Sequence, residues 1–303
     1  MALEKNHIQN EIVRPTTIRR IGIAITDFFL FILLFLIFNS YIISPLFAES
    51  ANYVKTVESY TQRMLDSHLY VKSNNTIVEL IDTYDDKTDE KAFYLNVDQK
   101  ITKFYIDFAN DGINIETYNK SKQDSQYFNV VDDEYVIKNE VTIERIRTFF
   151  NSEYEKALTL FNNYDDVYLD LARDITMYSI FTIVISITLS SLILYLIIPL
   201  CMKNGETIGK KLFSIGVASA KDGFRVRKSQ LVIRYLVFYT LEILVSIIAI
   251  GLPLIVSFSM LVFSKNGYTI HDYLAATVLV DRKKSVIYKD YEEFINHERI
   301  ALN

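Results

Sequence analysis

The sequence predicts an α-helical membrane protein with four transmembrane helices and an inserted extracytoplasmic α+β domain. The first observation is three long apolar runs, at 21–48, 175–202 and 231–264, the second of which carries no charged residue. The second observation is a Gly251-Leu252-Pro253 sequence inside the third run, which is typical of a turn. The third is the clustering of Lys and Arg in the segments that flank these runs.

The first apolar run predicts a transmembrane helix over 21–48, preceded by a cytoplasmic tail over 1–20. Asp27 is the only charged residue of this run. A carboxylate at the centre of a spanning helix costs about 2.5–3.5 kcal/mol on insertion scales, so it usually has a partner or a function. The length of the run and the presence of Asp27 argue against a cleaved signal peptide. The second run predicts a second helix over 175–202.

The third run predicts a helical hairpin. A single helix over its 34 residues would be about 51 Å long, whereas the hydrocarbon core of a bilayer is about 30 Å thick. We therefore predict a third transmembrane helix at 229–250 and a shorter fourth helix at 251–264. The turn between them contains Gly251.

The distribution of positive charge predicts the orientation in the membrane. Lys and Arg favour the cytoplasmic side of spanning helices, and they gather in the tail 1–20, the loop 203–228 and the tail 265–303. These three segments share one side only if there are four spans, with both termini in the cytoplasm and 49–173 outside. The abundance of Ile, Asn, Lys and Tyr favours a bacterial source. We therefore expect a multi-pass protein of the bacterial plasma membrane.

The predicted external domain, 49–173, is acidic. It has 14 Lys and Arg against 24 Asp and Glu, a net charge of about −10, while the rest of the chain is about +5. Apolar spacings of three and four predict a helix at each end of the domain. Alternating residues predict strands at 93–97 and 101–108, followed by a turn at Asn110-Asp111-Gly112. The many Tyr and Phe residues suit a core or a binding face, and core packing is the commoner use.

Polar motifs lie at the predicted cytoplasmic ends of the helices. In chain order, their residues are Arg20, Asp27, Thr207, Gly209, Lys210, Arg234, His271, Asp272, Thr277 and Val278. In type, order and spacing they resemble the RDD family of bacterial membrane proteins, which is named for an arginine and two aspartates. The resemblance covers about 19–48 and 175–282.

The resemblance implies a polytopic membrane module without an agreed role. Sodium/proton exchange has been proposed for some members of the family. The usual family core joins its first two spans by a short loop, so the insertion at 49–173 is a departure from the family pattern. We expect whatever is special to this chain to reside in that insertion.

The first motif needs partners from other helices. Arg20 and Asp27 are seven residues apart, so they share a helix face but lie about 10.5 Å apart along the axis, too far for a direct pair. We predict an interhelix ion pair between Asp27 and Arg234, with Arg20 close to Asp272. Such pairs either link helices or form part of an ion site, and the structural use is the commoner.

Glu242 lies about 12 Å deeper than Arg234 along the predicted third helix, where we predict a carboxyl with no charged partner. A lone buried carboxyl is neutral at rest and can bind and release a proton or a cation. Together with Asp27, Thr240 and Ser246 it would form an ion or proton path, with further hydroxyls from the second helix. The alternative is a protonated Glu242 that is hydrogen-bonded to one of these hydroxyls and has no functional role.

The basic loop 203–228 does not match a phosphate-binding loop, because three residues rather than four separate Gly205 from Gly209. We predict instead a short amphipathic helix that leads into a hairpin, turning at Asp222-Gly223 and lying on anionic lipid. His271 has no second His or Cys at ligand spacing, and no Ser-His-Asp motif is present. We therefore predict no metal, no cofactor and no catalytic residues.

Together these features predict a non-enzymatic membrane protein, embedded in the lipid bilayer, whose external domain binds a protein partner or a small ligand. The alternative is a transporter, a cation/proton exchanger that uses the intramembrane carboxylates Asp27 and Glu242. Four spans are few for a transporter, so this alternative favours a homo-oligomer. No feature of the sequence indicates nucleic-acid binding.

Overall fold

A computed structural model describes residues 12–85, 89–131, 134–264 and 267–301, so part of the predicted tail 1–20 lies outside the described residues. Most of the described residues are helical. The elements of the first half are α1 Thr17–Ala48, α2 Ala51–Asp66, β1 Tyr70–Ser73, β2 Thr76–Glu79, α3 Glu90–Asp107, α4 Ile115–Ser125, β3 Phe128–Val131, β4 Glu134–Ile137 and α5 Ile143–Tyr164. Those of the second half are α6 Asp166–Cys201, α7 Ile208–Leu212, β5 Ile215–Ser219, α8 Lys228–Ile248, α9 Leu252–Phe263, α10 Ile270–Leu274, β6 Thr277–Asp281 and α11 Tyr291–Ala301.

The chain divides into two compact units. The membrane unit comprises the described parts of Met1–Pro45 and Thr182–Asn303, and the inserted unit is Leu46–Phe181 with its described residues. The predicted extracytoplasmic position of the insertion stays a prediction.

Three helices in the described part of the chain, α1, α6 and α8, are long and apolar enough to cross a membrane. The fourth apolar helix, α9, has 12 residues, so it is about 18 Å long and shorter than the hydrocarbon core. The fourth span and the orientation that depends on it therefore stay predictions.

The predicted turn between α8 and α9 is present. Gly251 has a φ of 79°, a left-handed conformation that only glycine adopts at little cost. Its N–H donates to the Ser246 carbonyl at 2.8 Å. Pro253 lies in the first turn of α9, where its missing N–H leaves no bond unmade.

Each of the three long helices contains a π-helical turn. These turns lie at Asn39–Ile43 in α1, Ile193–Ile197 in α6 and Phe238–Leu244 in α8. A π turn inserts one residue into the helix and rotates the side chains that follow, and it often occurs at a functional site. The turn in α8 contains Glu242.

The predicted hairpin in the basic loop is wrong in its main pairing. The short helix α7 is present, but β5 pairs antiparallel with the distant β6, with Ile215 opposite Asp281 and Ser219 opposite Thr277. Both strands are buried along their whole length, so they form a covered ribbon and not a face on lipid. Of the predicted hairpin, the turn at Asp222-Gly223 remains, with the Ser219 N–H donating to the Phe224 carbonyl at 2.9 Å and a bridge between Ala218 and Arg225.

The strands predicted at 93–97 and 101–108 are also wrong, because this segment forms the helix α3. Asp89 caps it by accepting from the N–H groups of Lys91 and Ala92. Short stretches alternate, but the full segment has apolar residues at spacings of three and four. They are Phe93, Tyr94, Val97, Ile101, Phe104, Tyr105 and Phe108, and all are buried. This longer period decides the structure, since one buried helical face packs against α5.

The inserted unit contains its own aromatic core. Fully buried rings include Phe104, Tyr105, Tyr118, Phe150 and Phe161. The predicted terminal helices are present as α2 and α5, and the two strand pairs β1–β2 and β3–β4 are antiparallel ribbons. Most of the aromatic side chains that suggested a core or a binding face therefore serve as core.

Candidate functional site

The membrane unit encloses a cavity of about 430 Å³. Its walls come from the helices α1, α6, α7, α8, α9 and α10, from β6 and from the loop that leads into α7. The ionisable side chains that line it are Arg20, Asp27, Lys210, Arg234, Glu242, His271 and Asp272. The cavity therefore brings together most of the motif residues, which are up to 252 positions apart in the sequence.

Asp27 is held by the N-terminal end of α7 and not by Arg234, so the predicted Asp27–Arg234 pair is wrong. The Thr207 hydroxyl donates to Asp27 Oδ2 at 2.5 Å, and the Gly209 N–H donates to Oδ1 at 2.8 Å. Asp27 is only 4% exposed. A Cβ at position 209 would lie 2.6 Å from Asp27 Oδ1, so the close approach requires glycine.

Arg234 pairs instead with Asp272, with Nη2 and Oδ1 2.7 Å apart. Asp272 Oδ2 accepts from the Thr269 hydroxyl at 2.8 Å, and Oδ1 accepts from the Thr277 hydroxyl at 3.1 Å. Burial alone would raise the pKa of Asp272, but Arg234, His271 and the Thr269 hydroxyl lower it below its usual value of 3.8. Asp272 is therefore a fixed negative charge in the cavity wall.

Glu242 has a partner, contrary to the prediction of a lone carboxyl. Its Oε1 accepts from the His271 backbone N–H at 3.1 Å and lies 2.8 Å from His271 Nδ1. The other ring nitrogen, Nε2, lies 3.2 Å from Arg234 Nη2. Because an arginine can only donate, Nε2 accepts and the ring proton lies on Nδ1, which donates to Glu242. His271 thus links Glu242 to the Arg234–Asp272 pair.

The predicted polar path is not formed as a whole. Thr240 is exposed, and its hydroxyl donates to the Leu236 carbonyl. Ser246 is buried at the end of α8, where its hydroxyl accepts from the Leu254 N–H at 3.4 Å. Neither residue lines the cavity, whereas Asp27 and Glu242 both do.

Arg20 and Asp272 line the same cavity, and no ion pair between them is among the described contacts, so their predicted closeness stays a prediction. Its Nη2 donates to the Thr17 hydroxyl at 2.9 Å. Its guanidinium occupies the space where a side chain would begin at Gly267, a residue with a φ of 61°. Nε and Nη1 of Arg20 are buried and have no acceptor among the residues that the structure describes.

Lys210 is 8% exposed, and its Nζ donates to the Thr207 hydroxyl at 3.4 Å. Burial is the main cause that lowers the pKa of Lys210 from 10.5 to about 8, and the positive charge of Arg234 adds to it. Asp27, Asp272 and Glu206 oppose this shift. The amine therefore loses its proton more readily than an exposed lysine does.

Further residues that the motifs did not indicate contribute to the site. Thr269 caps α10 in a capping box with Asp272, and its Thr-x-x-Asp spacing was a visible signal. Tyr195 lines the cavity and donates to the Asp27 carbonyl at 3.3 Å. Glu206, in the loop before α7, pairs with Arg282 at 2.6 Å. Among the described residues, no group of three or more His, Cys, Asp or Glu could hold a metal ion.

Comparison with known proteins supports the motif analysis. The model of the RDD family matches residues 156–276, which include Thr207, Gly209, Lys210, Arg234, His271 and Asp272. The predicted resemblance is thereby confirmed over 175–276, and the match also covers 156–174, which we had predicted to lie outside the resemblance. Arg20 and Asp27 lie before the match, and Thr277 follows it directly. Neither the curated proteins nor the solved structures give a match.

Removing the Thr207 hydroxyl should destabilise the membrane unit, because Asp27 would lose a donor inside the protein. We expect Thr207→Val to lower the stability by about 1.5–3 kcal/mol, the range for a hydrogen bond to a charged group. Thr207→Ser retains the hydroxyl and serves as the matched control. Thermal unfolding in detergent measures both variants, and equal stability of Val and Ser variants would contradict this anchoring of Asp27.

The buried amine of Lys210 predicts a pH dependence of stability. Because its pKa is about 8 in the folded protein and 10.5 without burial, the unfolded chain binds more protons between these values. The free energy of unfolding should therefore rise with pH in this interval, by up to about 3 kcal/mol relative to Lys210→Met. Unfolding in detergent from pH 7.5 to 10.5 measures the difference, and parallel curves for the two proteins would refute the prediction.

Proposed function

We propose that this RDD-like chain is a non-enzymatic membrane protein whose membrane unit binds a small ligand in the charged cavity. The observation that carries the proposal is the cavity itself, whose volume of about 430 Å³ is in the range of ligand pockets, about 300–1,000 Å³. Ionisable residues are costly within a membrane and usually mark a site. Here they come from distant segments and meet around one space.

The contacts within the cavity favour binding over catalysis. Both ring nitrogens of His271 are engaged, one with Glu242 and the other with Arg234. The hydroxyl of Ser257, which also lines the cavity, accepts from the Ile270 N–H at 3.3 Å. His271 and Ser257 therefore do not form the nucleophile and base pair that covalent catalysis needs.

Filling the cavity should prevent binding. Ala24 lines it, so we expect Ala24→Phe to lose a mass that copurifies with the wild type in native mass spectrometry. Ala48→Phe, at the exposed end of the same helix, is the matched control and should retain that mass. Identical spectra for all three proteins, each folded, would contradict ligand binding in this cavity.

A second candidate function is cation/proton exchange, and the Glu242–His271 pair favours it. A carboxyl and an imidazole in hydrogen-bond contact can take up and release a proton together. In proteoliposomes, we expect sodium-dependent proton flux in the wild type and at least a tenfold loss in Glu242→Gln. Thr240→Val, two residues away on an exposed face, should keep its flux. Absence of flux in folded wild type would rule out exchange of sodium for protons.

A binding role for the inserted unit stays a prediction. The aromatic side chains that suggested it pack largely in the core of that unit. We therefore place the first tests on the cavity of the membrane unit.

A further inference from the structure

We propose that the ligand of the cavity is an amphiphile with a phosphate head and an apolar tail. The head would bind at a cationic cluster, defined as Arg20, Lys210 and Arg234, and the tail would lie along the apolar walls. This inference rests on the proposed function and adds the chemical class of the ligand. Three observations support it: donors without acceptors, carboxylates already occupied, and walls that are largely apolar.

The cationic cluster has more donors than the described residues supply with acceptors. Arg20 is 8% exposed, and within the described part of the chain its Nε and Nη1 are buried without an acceptor, as is Nη1 of Arg234. Lys210 Nζ has one hydrogen bond to a hydroxyl, at 3.4 Å. Burying a donor of a charged group without a hydrogen bond costs free energy. An anion with several acceptor oxygens would satisfy all three side chains.

The carboxylates of the cavity bond mainly to groups outside the cationic cluster. Both oxygens of Asp27 accept from Thr207 and Gly209 at the start of α7, and Asp272 is bonded to Thr269 and Thr277 as well as to Nη2 of Arg234. Glu242 Oε1 is bonded to His271. The occupancy of Asp27 and Asp272 disfavours a bare cation as the ligand of these two carboxylates, since a cation needs free carboxylate oxygens.

Phosphate fits the cluster better than a carboxylate or a halide. A phosphate group offers oxygens in several directions, and arginine binds it through its planar fork while lysine binds it as a point charge. The three cationic side chains come from α1, α7 and α8, so they would surround one head from different sides.

The walls indicate a ligand that also has an apolar part. Around the cationic cluster the cavity is lined by rings and aliphatic side chains. These include Phe28, Phe31, Phe238, Ile243, Leu254 and Phe258. Phe28 and Phe258 are also largely exposed, so this part of the cavity wall would meet the acyl chains of a bilayer. The phosphate chemistry is shared by a phospholipid and by inorganic phosphate, and the apolar walls favour the phospholipid.

The test measures thermal unfolding of the full-length protein in detergent with three separate probes. They are dioleoylphosphatidylglycerol, dioleoylglycerol, which has the same tails without the phosphate, and inorganic phosphate. We expect the phospholipid to raise the midpoint by several degrees and the other two probes to raise it by less than half as much. Arg20→Gln and Lys210→Met should each lose at least half of the phospholipid shift. Arg227→Gln, an exposed basic residue, is the control and should keep it.

Three results would overturn the proposal while leaving ligand binding intact. An equal shift with dioleoylglycerol would show that binding does not need the phosphate head. An equal shift with inorganic phosphate would show that binding does not need the apolar tail. A phospholipid shift that survives in both cluster variants but disappears in Ala24→Phe would place the ligand in the cavity away from the cationic cluster, which also overturns it. Because two cluster variants are used, failure of one to fold leaves the other as the test. If no probe shifts the wild type and Ala24→Phe retains every copurified mass, the proposed function falls together with this inference.

Discussion

The attachment of Asp27 to the N-terminal end of α7 is the interaction on which the membrane unit depends. A buried carboxylate must be paired or hydrogen-bonded, and here the Thr207 hydroxyl and the Gly209 N–H meet that need. The same contact fixes α1 to the segment that follows α6. Because β5 begins three residues after α7 ends, the position of the β5–β6 ribbon follows from this contact as well. Arg19 strengthens the arrangement by bonding to Asp281 at the end of β6 and to the Phe213 carbonyl.

The segment from Gly267 to Asp281 completes the charged cavity from the other side. Thr269 caps the short helix α10, which sets His271 against Glu242 and Asp272 against Arg234. The π-helical turn of α8 includes Glu242 at this contact. These contacts form a continuous chain of four side chains, in which each charge has a partner. Among the described residues, Nε and Nη1 of Arg20 and Nη1 of Arg234 are the cavity donors without an acceptor, so positive donors exceed acceptors there.

The inserted unit is organised by a different principle. Its stability comes from an aromatic core between α3 and α5 and from buried polar links such as the Lys122–Asp98 pair at 2.5 Å. Tyr154 donates to the Leu69 carbonyl and accepts from the Leu80 N–H, which joins α5 to the β1–β2 ribbon. Burial raises the pKa of Tyr105 to about 12, as expected for a phenol inside such a core. This unit therefore has the contacts of a domain with its own core.

The sequence by itself determined the apolar helices, the Gly251 turn, the acidic insertion and the set of motif residues that meets at the cavity. These features depend on local composition and on spacing along one chain. It did not determine which partner each charge takes, since Asp27 and Glu242 bond to loop and helix residues that are brought in by the β5–β6 ribbon, a pairing across more than 55 residues. The strands predicted within 93–108 were wrong as well, because a short alternating stretch fits a strand locally and only packing against α5 selects the helix. Tertiary structure decided these points because a hydrogen bond requires proximity in space, and proximity between distant segments arises only when the whole chain packs.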